Sequence, residues 1–273
     1  MQIPFTKMHG LGNDFMVLRW PAGLPELTAE RVRAWSDRRY GVGFDQLLLI
    51  ASDRPAGADA AYRIFNADGG EVEQCGNGAR CIASFLAPEP GQTIQLRSAG
   101  GQLQAQLLGE GMVRVNYGEP DFRPEALPFK AARAQPRYRL EVEGREVVFG
   151  AVSMGNPHAV LEVDSVDDAP VGILGPVLAT HPDFPKGVNV GFLQIESRSR
   201  ARLRVFERGV GETQACGTGA AAAAAVGHLW GHLDDQVEIR LPGGVLTIQW
   251  SGPGSPLWQT GPTTMVYEGQ IEL

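Results

Sequence analysis

Arg63-Ile64-Phe65-Asn66-Ala67-Asp68-Gly69-Gly70-Glu71-Val72-Glu73-Gln74-Cys75-Gly76-Asn77-Gly78-Ala79 returns 141 residues later as Arg204-Val205-Phe206-Glu207-Arg208-Gly209-Val210-Gly211-Glu212-Thr213-Gln214-Ala215-Cys216-Gly217-Thr218-Gly219-Ala220. Eight of the 17 aligned positions are identical, and no gap is needed. Weaker matches keep the same order on either side: Gly12-Asn13 with Gly155-Asn156, Gly43-Phe44-Asp45 with Gly187-Val188-Asn189, and Gly100-Gly101-Gln102-Leu103 with Gly243-Gly244-Val245-Leu246. Collinear matches of this kind describe one internal duplication with a period of half the chain, which rules out a solenoid of short units.

Around these blocks the hydrophobic pattern has period two, as in Ala201-Arg202-Leu203-Arg204-Val205-Phe206 and Met112-Val113-Arg114-Val115-Asn116-Tyr117. Such alternation reads as half-buried antiparallel strands. After each Cys-Gly-x-Gly the pattern changes. Ala79 to Leu86 and Ala220 to Trp230 are rich in helix formers and small apolar residues, so each copy is expected to carry a mostly apolar helix packed deep against its sheet. The prolines at 120, 124, 128 and 136 interrupt regular structure and place the split between copies near Gly118.

With 273 residues, 43 % of them hydrophobic, the chain can bury one large core or two smaller ones. A net charge of −7 provides no basic field for phosphate backbones or anionic lipid, so neither nucleic acid nor membrane is an expected partner. The first residues lack the apolar stretch of a signal peptide, and Ala220 to Val226 is too short to span a bilayer; a cytoplasmic location is expected. Three widely spaced cysteines with no Cys-x-x-Cys pair argue for free thiols.

Cys75 and Cys216 each end a polar loop and lead through a glycine-rich turn into a helix. Unpaired backbone N–H groups and the helix dipole favour an anion there, and on that ground the thiols are expected to ionise nearer neutrality than the ordinary value of about 8.5. The N–H groups beside Gly76, Gly78, Gly217 and Gly219 can also hold a carboxylate. If the copies are related by a pseudo-twofold axis, the thiols lie on opposite sides of one ligand, the geometry that inversion of a carbon centre requires. The three lysines, Lys7, Lys130 and Lys186, have no context that marks a Schiff-base former, so no pyridoxal phosphate and no other cofactor is implied.

These blocks resemble the diaminopimelate epimerase family over the whole chain. The resemblance runs through Met8-His9-Gly10-Leu11-Gly12-Asn13-Asp14-Phe15, Gly43-Phe44-Asp45-Gln46-Leu47, Phe65-Asn66-Ala67-Asp68-Gly69, Gln74-Cys75-Gly76-Asn77-Gly78-Ala79-Arg80-Cys81, Met154-Gly155-Asn156-Pro157-His158, and Glu207-Arg208-Gly209 leading to Ala215-Cys216-Gly217-Thr218-Gly219. It implies an α/β (α+β type) fold of two pseudo-symmetric domains, each a mainly antiparallel sheet curled around a central helix. The domains would be 1–117 plus 265–273, and 118–264. It implies a cofactor-independent isomerase that interconverts LL- and meso-diaminopimelate through the Cys75 and Cys216 acid–base pair, with His158 and Glu207 in support. Asn13, Gln46, Asn66, Gly76, Asn77, Asn156, Asn189, Glu207, Arg208, Gly217 and Thr218 would bind this small amino-acid substrate. A homodimer is implied too. Phe206 stands where the family often has tyrosine, and Thr218 where it also has serine.

Other readings weigh against this one. A proline or hydroxyproline racemase would share the cysteine pair but has no use for a distal grip of asparagines and Arg208. Non-catalytic or carboxylate-driven relatives lack the thiols, and a redox sensor would use them only to form a disulfide. Gly217-Thr218-Gly219-Ala220-Ala221-Ala222 mimics a dinucleotide fingerprint, but a nine-residue polar loop separates it from the preceding strand. His228 and His232 have a metal-compatible spacing without a third ligand, so no metal is expected. Cys81 reads as a small buried hydrophobe, and the matched Glu71 and Glu212 as loop braces or caps.

Overall fold

The computed structural model describes residues 1–87 and 89–273. They form two compact units, one of Met1–Val115 with Gly261–Leu273 and one of Asn116–Thr260. The first unit runs β1 (Gln2–Gly10), β2 (Asn13–Arg19), α1 (Ala29–Ser36), β3 (Gln46–Ile50), β4 (Ala60–Asn66), β5 (Glu71–Val72), α2 (Gly76–Leu86), β6 (Thr93–Ser98), β7 (Gly101–Gly109) and β8 (Met112–Asn116). The second runs β9 (Tyr138–Val142), β10 (Arg145–Ser153), β11 (Pro157–Glu162), α3 (Val171–Ala179), β12 (Asn189–Ser197), β13 (Arg200–Glu207), β14 (Gly211–Thr213), α4 (Gly217–Leu229), β15 (Gln236–Leu241), β16 (Gly244–Gln249) and β17 (Trp258–Pro262). A last strand, β18 (Thr264–Glu272), pairs antiparallel with β1 from Gln2↔Glu272 onward.

The duplication read from the sequence is a duplication of pairing. β1 to β2 and β10 to β11 are antiparallel hairpins, β2 to β3 and β11 to β12 are parallel, and β3 to β4 and β12 to β13 are antiparallel. β4 with β6 and β13 with β15 are again parallel. Each sheet is therefore mainly antiparallel with two parallel joins, a detail that period-two alternation does not report because both pairings share that period. The outer edge of β10 carries β9, as that of β1 carries β18.

Two consecutive residues with positive φ, Leu11 (56°) and Gly12 (81°), close the β1–β2 hairpin as a two-residue turn of the primed type. The first residue after it is Asn13. In the second unit Gly155 (φ 89°) sits in the corresponding turn just before Asn156. The turns thus deliver an asparagine to the same place in each unit.

In its own unit α2 packs on β1, β2, β6 and β7, and α4 packs on β10, β11, β12, β13, β15 and β16. One helix touches that many strands because the sheet curls around it. The run Ala220–Ala225 makes this possible: alanine propagates a helix well and lets strands approach closely, and residues 217–227 are all buried. The outer helices, α1 and α3, cover the other sheet faces. Thr28 caps α1 by accepting the Arg31 N–H at 3.3 Å. Behind α3 lies an aromatic cluster in which Phe129 stacks on Phe184 at 4.4 Å and meets Tyr138 edge-on at 4.9 Å, with Phe149 beside them. The proline-rich stretch contains one short 3-10 turn, Pro124–Ala126, and a bridge from Asp121 to Ser153, more order than four prolines suggest.

Candidate active site

Each site helix begins at a cysteine. In the first unit Cys75 is the N-cap of α2, with extended backbone (φ −147°, ψ 110°), and its Sγ accepts the Gly78 N–H at 3.4 Å. Asn13 Oδ1 lies 3.8 Å from that sulfur and accepts from Asn77 Nδ2 at 3.2 Å. Gln46, first residue of β3, faces Asn66, last residue of β4, and donates from Nε2 to Asn66 Oδ1 at 2.8 Å. Gln46 Oε1 is buried without a hydrogen-bond partner among the described residues. An acceptor left bare at that depth costs about 1–3 kcal/mol unless a ligand donor meets it.

In the second unit Cys216 is the N-cap of α4 (φ −103°, ψ 106°) and only 4 % exposed. His158 Nε2 lies 3.0 Å from Asn156 Oδ1, Asn156 Nδ2 donates to Thr218 Oγ1 at 3.3 Å, and that hydroxyl is 3.7 Å from Cys216 Sγ. Asn156 Oδ1 only accepts, which assigns the imidazole proton to Nε2. Burial, reinforced by the Arg208 charge, pushes His158 down to about 3, so the ring is neutral at any ordinary pH. Asn189, level with His158 on the neighbouring strand, accepts the Arg208 N–H at 2.9 Å, and the Arg208 guanidinium donates to the Lys186 carbonyl. Thr213 Oγ1 donates to Glu207 Oε1.

The Cys216 thiol corrects one expectation. Its position at a helix N-terminus favours the thiolate, but burial and then the Glu207 charge push it well above the ordinary thiol range. Bonds from Thr218 and the Gly219 N–H oppose this and lose. A helix dipole contributes about 0.3–1 kcal/mol, less than the cost of ionising a fully buried thiol beside a carboxylate. Cys216 is thus a thiol in the free protein. Cys81, buried within α2, is pushed up to about 12, mainly by burial, and stays inert.

Glu71 and Glu212 make matching two-pronged ion pairs, Arg63–Glu71 at 2.9 and 2.8 Å and Arg204–Glu212 at 2.6 and 2.9 Å, bracing the loops that lead to the cysteines. His228 and His232 turn to separate carboxylates, Asp235 at 3.0 Å and Glu162 at 3.2 Å. The glycine-rich start of α4 follows β14, which is antiparallel to β13, and not a buried parallel strand. No helix among the described residues is long and apolar enough to cross a membrane.

Several residues around the site are given no role by the sequence. Asp14, Asp45, Arg38 and Lys7 form an ionic knot beside Asn13: Asp14 is 2.6 Å from Lys7 and 2.8 Å from Arg38, which also reaches Asp45 at 2.8 Å. Burial raises the Asp14 carboxyl, but bonds and charges from Arg38 and Lys7 outweigh it and hold the group at about 2. Gln259, fully buried, donates to the Gly217 carbonyl at 2.7 Å and accepts from the Tyr117 hydroxyl at 3.2 Å, bracing the start of α4. Only the folded chain brings positions so far apart in sequence together.

Duplicated α/β units with a thiol at the head of each central helix define a class that includes epimerases and racemases. The chain superposes on a hydroxyproline epimerase from Agrobacterium vitis with a TM-score of 0.73, covering 99 % of this chain and 92 % of that one at 18 % identity, a likeness of fold. The family model described as diaminopimelate epimerase matches residues 5–123 and 150–266. Proteins named diaminopimelate epimerase from Ectopseudomonas mendocina (strain ymp) and Pseudomonas aeruginosa (strain UCBPP-PA14) are each 52 % identical over 276 aligned residues, covering the whole of both chains. The chain belongs to the diaminopimelate epimerase family.

Proposed function

We propose that this isomerase interconverts the LL and meso forms of 2,6-diaminopimelate, for lysine and peptidoglycan precursor synthesis, by moving an α-proton between Cys75 and Cys216 with no cofactor. The observation that carries the reading is the pair of matched helix N-caps, a cysteine in each unit of a chain that the family model matches in both halves. Cys216, held as a thiol, enters as the acid, and Cys75 acts as the base once it is ionised. Cys75 takes the α-proton from one face, and Cys216 delivers its own to the opposite face, leaving Cys75 protonated and Cys216 ionised. The reverse reaction exchanges the roles. Glu207 and burial make the Cys216 thiolate a strong base when its turn comes, and the N–H groups at the two helix starts stabilise the carboxylate of the planar carbanion.

Asn13, Gln46, Asn66, Asn156, Asn189, Glu207 and Arg208 bind the substrate, the amides and guanidinium gripping the far, non-reacting centre. The bare Gln46 Oε1 supports this, since an ammonium group could donate to it. A proline-type substrate has no second amino-acid end to use such a grip. Free thiols fit a reducing cytoplasm. A homodimer fits the outer strand β18, on which Met265, Val266 and Tyr267 are 54, 53 and 45 % exposed; sedimentation at a single species of monomer mass would refute it.

The deciding assay incubates purified protein with LL-diaminopimelate in D₂O, with chelator and no added cofactor. The meso isomer should form with deuterium at the inverted centre. Folded, reduced protein that gives neither inversion nor exchange would overturn the reading.

A further inference from the structure

The amide of Asn13 is fixed in one orientation by charges at both ends of a chain of hydrogen bonds within the first unit. At one end Arg80, fully buried one turn into α2, donates from Nη2 to Asn77 Oδ1 at 2.6 Å. A guanidinium has no acceptor, so Asn77 must present its oxygen to Arg80 and its NH₂ outward. That NH₂ donates to Asn13 Oδ1 at 3.2 Å. Asn13 therefore turns its own NH₂ the other way, and it donates to Asp45 Oδ2 at 3.0 Å. A carboxylate only accepts, so this end is fixed as well. Asp45 is in turn held by Arg38 at 2.8 Å and by the Asp14 N–H at 3.2 Å.

The duplicated frame shows that the second unit lacks this device. The position matching Arg80 is Ala221, that matching Asn77 is Thr218, and that matching Asp45 is Asn189, while Asn13 is matched by Asn156. There the Thr218 hydroxyl, which can donate or accept, faces the Cys216 sulfur at 3.7 Å, whereas in the first unit an amide oxygen, Asn13 Oδ1, which only accepts, faces the Cys75 sulfur at 3.8 Å.

We infer that Arg80 and Asp45 are positioning residues that lock Asn13 with its amide oxygen, never its NH₂, toward the Cys75 sulfur. The oxygen can accept from the Cys75 S–H and offers nothing to its thiolate, so the ionised sulfur keeps its full strength as a base. The arrangement also sets the face that Asn13 shows to substrate. The catalytic consequence rests on the proton-transfer reading above; the orientation of Asn13 does not.

Asp45→Asn tests it. Arg38, through the stronger charge-assisted bond, claims the single remaining oxygen and leaves an NH₂ opposite that of Asn13. Asn13 then meets one opposed NH₂ in either orientation, at the substituted position or at Asn77, so the turned-over form, which donates to the Cys75 thiolate, becomes populated. Carbamidomethylation of the full-length protein by iodoacetamide at pH 7, followed peptide by peptide in a mass spectrometer, should be faster at Cys75 by about fivefold, roughly the weight of one hydrogen bond. Cys216 should stay within about twofold of its wild-type rate, while turnover of LL-diaminopimelate falls about tenfold. A Cys75 rate that stays within about twofold, falls, or moves in step with Cys216 overturns the inference. Arg80→Lys, which keeps the buried charge but loses the fork, reads the other end of the chain with the same expected result. If wild-type protein proves inactive on diaminopimelate, the proton-transfer reading fails while the alkylation rates still judge the orientation of Asn13.

Discussion

Replacing His158 with glutamine should remove an acid-sensitive contribution to stability whose size follows from its burial. The glutamine side chain keeps an Nε2–H to offer Asn156 Oδ1 and cannot titrate. In the wild type the unfolded chain takes a proton on this ring below about 6.5, while the folded protein refuses it down to about 3. Over that interval the unfolded state binds more protons, so stability is lost as pH falls through 6.5 and the loss levels off below about 3. The slope approaches about 1.36 kcal/mol per pH unit, and between pH 7.5 and pH 4.5 the wild type should lose about 2.7 kcal/mol relative to the variant. This figure depends hardly at all on where near 3 the folded value lies. Urea unfolding followed by tryptophan fluorescence at both pH values measures it, since Trp230, Trp250 and Trp258 lie in the unit that holds His158. Taking the difference between the two proteins cancels every other titrating group. A difference that changes by less than about 0.5 kcal/mol would mean that the folded protein protonates His158 freely, and the burial argument would be refuted.

Cys75→Ala and Cys216→Ala should each abolish epimerisation, because each face needs its own acid or base; a chiral separation of products decides, and full activity in either ends the two-thiol mechanism. Glu207→Gln removes the charge that, after burial, holds the Cys216 thiol up, so alkylation of Cys216 should quicken by several-fold, about fivefold for one interaction of ordinary strength, with Cys81 as the unresponsive reference. In Gly219→Ala the new methyl would sit 2.9 Å from Val205 Cγ2 and 3.2 Å from the Cys216 sulfur; thermal melts should show a loss of about 1–3 kcal/mol from overpacking, and kcat should fall further than stability alone explains. Phe184→Ala, in the stacked cluster behind α3, should cost about 3–5 kcal/mol in the same melts with KM unchanged.

What the sequence disclosed was local or repeated. The start of each site helix was readable because cysteine and glycine at that spacing form a cap and a turn, and the match between copies raised two ordinary thiols above coincidence. The Arg63–Glu71 and Arg204–Glu212 braces were visible as twin acids for the same reason. The outer helices were not read: α3 is apolar nearly all round with Pro176 inside it, so it shows no 3.6-residue stripe. For α1, Thr28 ahead of Ala29-Glu30-Arg31 was the usable signal. The Arg80 to Asp45 chain joins residues up to 64 positions apart, and nothing in the pattern of one strand predicts which side chain waits across the sheet. The state of Cys216 was misjudged because the dipole is local and legible, whereas Glu207 and the depth of burial belong to the tertiary fold.

The pairing of β18 with β1 has a consequence for the order of events during synthesis. The second unit, residues 116–260, is synthesised before β18. The first unit begins to emerge earlier yet waits longer, because the neighbour of its first strand is made after the second unit, with Gln2 set against Glu272. Until then one edge of β1 is an open template for stray strands. A pause in translation between residue 260 and β18 would therefore expose the half made first, and chaperone demand should follow the time taken to deliver β18.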